Sequence, residues 1–169
     1  MNFSQLMGLA GGHVEARIVQ TAVELVIFDA LEATDLDAPT LARTLKLHEP
    51  ATELLLNALT AVGLLKKHRR SFSLTEVSRR HLLRSSPHYV GTMIGFDAML
   101  WRDWEKLADA IRSGLPTRPP NMYQSDARET EVFINAMDSL VKARGDAEVL
   151  TGVLDWSKVE SVLDVGSGP

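Results

Sequence analysis

The 169-residue chain contains no cysteine. That excludes a disulfide framework, thiolate metal sites and a cysteine nucleophile, and it suits a reducing compartment, so a cytoplasmic location is expected. Long apolar runs are also missing. No stretch approaches the roughly 20 apolar residues that span a bilayer, and Met1 to Ala10 lacks the basic start and continuous apolar core of a signal peptide. Positive charge is not in excess either. A net charge of -4 gives no whole-chain attraction to nucleic acid phosphates or anionic lipid, so any such site must be local. There is no internal repeat and no low-complexity tract. The remaining composition, 45% hydrophobic and 24% charged, is that of a globular protein able to bury a core.

Apolar residues recur at helical spacing in Val14, Ile18, Ala22, Leu25, Ile27 and Phe28, which predicts an amphipathic helix from about His13 to Leu31 with a wide apolar stripe. Asp37 followed by Pro39 signals a helix start, with Leu41, Leu45 and Leu47 on its buried side. Pro50 opens another helix, with Leu54, Leu55, Ala58, Leu59 and Val62 facing inward and Gly63 as its carboxyl-side cap. Leu64 to His68 and Ser71 to Leu74 bracket Arg69-Arg70 as a small hairpin, after which Thr75 caps a helix through Leu83 that ends by Pro87. Two helices followed by a hairpin form a winged-helix outline.

Tyr89 to Leu100 and Trp101 to Arg112 are expected to be helical, the second closing at Gly114. The proline-rich stretch Gly114 to Asn121 is the nearest thing to a linker, and a longer helix is expected from about Ala127 to Val149. Val159 to Val165 then has the β-branched character of a strand, running into Gly166-Ser167-Gly168-Pro169. A strand with nothing after it forms no sheet, so the sequence has the look of a truncated α/β domain.

Glycines two apart after a strand let the backbone turn tightly and approach a ligand, although a surface turn would use the same letters. The run Val162-Leu163-Asp164-Val165-Gly166-Ser167-Gly168-Pro169 closely resembles the first cofactor motif of class I S-adenosylmethionine-dependent methyltransferases. Asn57 to Leu65, Phe72 to Thr75 with Ser78, Leu82 and Leu83, and then Trp104, Leu107, Gly114, Phe133, Ala136 and Met137 are similar to the caffeate-type and hydroxyindole-type O-methyltransferases. This resemblance runs over nearly the whole chain.

The resemblance implies a mainly α fold: a winged-helix-like dimerisation domain at 1–86, a helical linker and acceptor-pocket region at 87–157, and the start of a Rossmann-like cofactor domain at 158–169. It implies a homodimer through the amino-terminal helices, S-adenosylmethionine as cofactor, and a small aromatic or natural-product hydroxyl as methyl acceptor. Asp164, Gly166 and Gly168 would contact the cofactor. Met137 and Phe133 are the first acceptor-site candidates, with Trp104, Phe96, Met99 and Asn135 behind them, because soft thioether and aromatic surfaces suit a flat ring. An ordinary core position is the favoured reading for each of them except Met137. Where plant members carry a histidine and a serine shortly after this methionine, the chain has Ser139-Leu140, which leaves the acceptor class open. The family's general base is a histidine beyond position 169. None of His13, His48, His68, His81 and His88 forms the i, i+4 pairing of a metal site, so the chain itself offers neither a catalytic residue nor a metal ligand.

The winged-helix outline also fits a stand-alone dimerisation module or a DNA-binding transcription regulator. Lys66, Lys67, Arg69, Arg70, Arg79, Arg80 and Arg84 are the argument for it. Against it, Pro50 to Gly63, the segment that would read the major groove, carries no basic residue, so nucleic acid is not an expected partner. A nucleotide-binding protein of another Rossmann type would want a full G-x-G-x-x-G, which is not present.

Overall fold

The computed structural model describes residues 1–153 and 155–165, which form two compact units, residues 1–86 and the described residues from 87 onward. The molecule is mainly helical.

In the first unit, α1 spans Phe3–Glu24, starting ten residues before the expected helix. Asn2 accepts a hydrogen bond from the Gln5 N–H and the Gln5 side chain accepts one from the Asn2 N–H, both at 2.9 Å, forming a reciprocal cap. The expected continuation to Leu31 is broken: Val26 turns left-handed at φ 52°, and a separate short helix, α2 (Ile27–Ala30), follows. The break swings Ile27, Phe28 and Leu31 into the core, all essentially without solvent exposure.

Helix α3 (Ala38–Leu45) begins as expected, with Asp37 accepting from the Thr40 N–H at 2.9 Å. Helix α4 (Glu49–Ala61) buries Thr52, Leu56 and Leu59, a stripe rotated from the expected one that leaves Leu54 72% exposed. Its end matches the expectation: Gly63 sits at φ 80° and the Leu64 N–H returns to the Leu59 carbonyl at 2.9 Å.

Strands β2 (Leu65–His68) and β3 (Ser71–Leu74) form the expected antiparallel hairpin, with Arg69 at φ 53° in the turn. A two-residue strand, β1 (Leu36–Asp37), was not expected. It pairs antiparallel with β3, Leu36 opposite Phe72, giving the order β1-β3-β2. Helix α5 (Glu76–His81) is capped by Thr75.

In the second unit, α6 (Gly91–Met99) is followed by α7 (Trp101–Trp104) and α8 (Leu107–Ser113) where one helix was expected from Trp101 to Arg112. Backbone bonds from Lys106 to Asp103 and from Asp109 to Lys106 tighten the junction to a three-residue repeat. Gly114, at φ 70°, ends α8. The expected helix to Val149 is likewise divided. After α9 (Met122–Ser125), α10 runs Ala127–Arg144, Gly145 at φ 73° terminates it, and α11 (Asp146–Val153) starts anew. Helices α6 and α10 pack together around Phe96 and Ala136.

A short 3-10 turn, Trp156–Lys158, precedes residues 159–165. The expected strand at Val159 to Val165 does not form. These residues are exposed and have no neighbouring strand among the described residues, and an extended segment gains ladder hydrogen bonds only beside a partner.

Candidate functional site

Three aromatic side chains of the second unit come together where α6, α9 and α10 meet. Phe96 is buried on α6; Phe133 is half-buried on α10, six positions into a helix whose start is set by Asp126, which accepts from the N–H groups of Arg128 and Glu129 at 2.8 and 3.1 Å. Their ring centroids lie 5.8 Å apart at 59°. Tyr123 completes the group, stacked on Phe133 at 4.2 Å and 16° and tilted against Phe96 at 6.2 Å and 46°. Such arrangements are the favoured geometries of aromatic quadrupoles.

A charged pair is attached to this cluster. Arg118 Nε lies 3.1 Å from Asp103 Oδ2, while Arg118 Nη1 donates to the Tyr123 hydroxyl at 3.1 Å and the guanidinium carbon sits 5.3 Å from the Tyr123 ring centre. The Thr130 hydroxyl lies between the Tyr123 and Asp126 carbonyls, 2.9 Å from the latter, and shares its one proton between them. Next to Phe96, partial burial raises the Asp97 carboxyl above its ordinary value.

The sequence candidates are distributed unevenly around this cluster. Phe96 and Phe133 are brought together. Met137 is half-buried one turn after Phe133, on the same side of α10. Asn135 is exposed, two positions from Phe133 and therefore on another face. Trp104 and Met99 are 63% and 53% exposed. Ser139 is buried, and its hydroxyl is satisfied within α10 by the Ala136 carbonyl at 2.9 Å. Sequence reasoning missed Tyr123, Arg118 and Asp103. The signal was an arginine and a tyrosine five apart at the end of a proline-rich segment read as a linker.

For the cofactor motif, Asp164 is exposed in an extended segment, and Gly166 and Gly168 lie outside the described residues. With Val162, Leu163 and Val165 all open to solvent, the described residues build no cradle that fits S-adenosylmethionine. Among the described residues, no group of three or more His, Asp or Glu side chains is placed to hold a metal ion, and no helix is long and apolar enough to cross a membrane.

The basic residues of the hairpin and α5 are partly engaged within the unit. Lys67 Nζ donates to Asn57 Oδ1 at 2.8 Å, lies 3.6 Å from Glu53 and sits 4.8 Å from the centre of the Phe72 ring. Arg84 pairs with Asp29 at 3.8 Å, and Arg79 reaches the Glu32 carbonyl at 3.4 Å.

Comparison with known proteins adds the following. The O-methyltransferase dimerisation domain matches residues 7–84. The chain is 31% identical to the 3-hydroxy-5-methyl-1-naphthoate 3-O-methyltransferase of Streptomyces sahachiroi, over 96% of this chain and 48% of that protein. It is 30% identical to the tetracenomycin polyketide synthesis 8-O-methyl transferase TcmO of Streptomyces glaucescens, over 89% of this chain and 46% of that protein. Among solved structures, human N-acetylserotonin methyltransferase in complex with SAM superposes with a TM-score of 0.78 at 27% identity, covering 92% of this chain and 49% of that one. The chain thus spans about half the length of the curated relatives it matches.

Proposed function

We propose, for a chain that belongs to the S-adenosylmethionine-dependent O-methyltransferases and carries their dimerisation domain at residues 7–84, a role as the amino-terminal part of a cytoplasmic enzyme that methylates a hydroxyl of a small aromatic or natural-product acceptor. The observation that carries this reading is the relation to a named O-methyltransferase over 96% of the chain.

On this reading, residues 1–86 are the dimerisation domain, with β1, β3 and β2 as the sheet of a winged helix. The amino-terminal half of α1 supports a homodimer. Phe3, Leu6, Met7, Leu9 and Val14 are all exposed, and Gly8, Gly11 and Gly12 have no side chain to stiffen the helix, so an isolated α1 would be marginal without a covering surface. Residues 87–157 hold the acceptor, with Phe133, Phe96 and Met137 as the flat apolar walls and Trp104, Met99 and Asn135 at the margin. Residues 158–169 open the cofactor domain, where Asp164, Gly166 and Gly168 would lie against S-adenosylmethionine. The chain's own share of the reaction is to orient the acceptor ring and exclude water; the base that removes the hydroxyl proton is assigned to none of its residues. Nucleic acid has no part in this reading, since α4, the helix that would read the groove, carries no basic residue.

The test is methyl transfer by the intact protein, supplied with S-adenosylmethionine and 1-naphthol and followed by release of S-adenosylhomocysteine. Formation of the naphthyl methyl ether is expected. Failure with naphthol and with a panel of hydroxyaryl acceptors, despite measured cofactor binding, sinks the reading.

A further inference from the structure

The segment between α8 and α10 works as a strap that lays one ring on another. Tyr123 lies nearly parallel to Phe133, at 4.2 Å and 16°, with Phe96 closing the side. A flat acceptor stacked on Phe133 would make the same contact, so the two rings compete for one face.

The strap is held at its α9 end, which packs on α10, while its proline-rich part lies open. Leu115, Pro116, Pro119, Pro120 and Asn121 are exposed, and α9 has four residues. Prolines at 116, 119 and 120 limit φ, which favours movement of the strap as a piece. Its side-chain anchor is the Asp103–Arg118 pair, 22% and 24% exposed as Arg118 and Asp103, with the Arg118 fork on the Tyr123 hydroxyl. Its backbone anchor is the Thr130 hydroxyl on the Tyr123 carbonyl. Segments with few buried contacts open most readily.

We propose that Tyr123 is an internal stand-in for the acceptor ring, and that Arg118, held by Asp103, is the positioning residue that keeps it on Phe133. Acceptor binding then requires Tyr123 to leave. This rests on the assignment of Phe133 to the acceptor site. It has a directional consequence: the apparent affinity is lowered by the fraction of molecules in which Tyr123 is seated, so loosening the latch strengthens acceptor binding. A purely structural role for Arg118 would give the opposite sign.

The experiment is 19F NMR on the intact protein labelled with 3-fluorotyrosine, with the Tyr123 resonance identified as the one lost in Tyr123→Phe, during titration with 1-naphthol. Saturation is expected to move the Tyr123 resonance. Arg118→Gln and Asp103→Asn are each expected to move it in the free protein in the same direction and to tighten naphthol binding by about 3- to 10-fold. Arg118→Lys, a milder change that keeps the charge opposite Asp103, should give a smaller gain. The inference is overturned if naphthol fails to bind, binds without moving that resonance, or binds more weakly to the latch variants. S-adenosylhomocysteine release in the same samples separates the two claims. Methyl transfer with an unmoved Tyr123 overturns the stand-in and leaves the methyltransferase reading intact, whereas a moved Tyr123 without transfer supports the stand-in and counts against the enzyme.

Discussion

Ser78 donates its hydroxyl to the Leu64 carbonyl at 2.6 Å from a side chain with no solvent exposure, tying α5 to the residue that leaves α4 and enters the hairpin. The same carbonyl accepts from the Thr75 hydroxyl at 3.1 Å, so one oxygen after a helix end is served by two side chains from the next helix start.

Because Thr75 remains, Ser78→Ala should cost about 1 kcal/mol, the ordinary net worth of one hydrogen bond. Removing both hydroxyls with Thr75→Val and Ser78→Ala should cost more than the sum of the singles, since the part-buried Leu64 carbonyl then keeps only the long bond from the Thr75 N–H at 3.4 Å. Urea unfolding of the four proteins in the cycle checks this, and simple additivity would count against the shared-acceptor account.

Asp37 carries a pH dependence of known sign. Hydrogen bonds from the Thr40 side chain and then its backbone N–H, with smaller contributions from Arg70 and Arg43, hold the Asp37 carboxyl below its ordinary value. A carboxyl depressed in the folded state stabilises above its unfolded pKa, and that stability is lost as the pH falls through the depressed value. The advantage of the wild type over Asp37→Ala in urea midpoint should therefore be full at about pH 6 and should shrink steadily below about pH 4. An advantage that stays constant down to about pH 2 would show that the charge is not what caps α3.

Val26 pairs a β-branched side chain with left-handed backbone at φ 52°, a combination that is strained. Val26→Gly relieves roughly 1–2 kcal/mol of that strain while losing backbone restriction and a half-buried side chain, so its stability should stay within about 1 kcal/mol of wild type. Val23→Gly, three residues earlier in a regular and buried helical turn, should cost about 2 kcal/mol or more. Thermal unfolding of the two variants compares them directly, and equal losses would remove the argument that the break at Val26 is imposed from outside the local sequence.

If α1 is covered by a second chain, a charge placed on its exposed apolar face will be buried without a partner. Leu6→Lys should then weaken dimerisation by at least about tenfold, and the uncovered α1 should lose part of its helix signal in the monomer. Sedimentation at low micromolar concentration, paired with circular dichroism, checks both halves. A wild type that remains monomeric at high concentration would rule out the dimer.

The features legible in the sequence were those whose cause is local. Asp37 as a cap, Gly63 and Gly114 as helix ends and Arg69-Arg70 as a hairpin turn each depend on a side chain or backbone preference acting within about four residues. The Asn2 and Gln5 cap belongs to this class too, although three glycines in the following helix concealed it. The resemblance to the O-methyltransferases rested on residue identities in order, from Asn57 to Leu65, Phe72 to Thr75, Phe133 to Met137 and Val162 to Pro169, and periodicity had no part in it. The tertiary structure decided what depends on neighbours distant in sequence. Strand β1 has two residues and exists only because β3 lies beside it. The break at Val26 follows from where Ile27, Phe28 and Leu31 must go, and the inward stripe of α4 is set by what packs on it and not by its own spacing. Residues 159–165 show the converse, a strand-like sequence with no neighbouring strand among the described residues and so without a strand of its own. The contact of Tyr123 with Phe133 was beyond periodicity altogether, because it joins a proline-rich connection to a helix through ring faces whose meeting only the folded chain can fix.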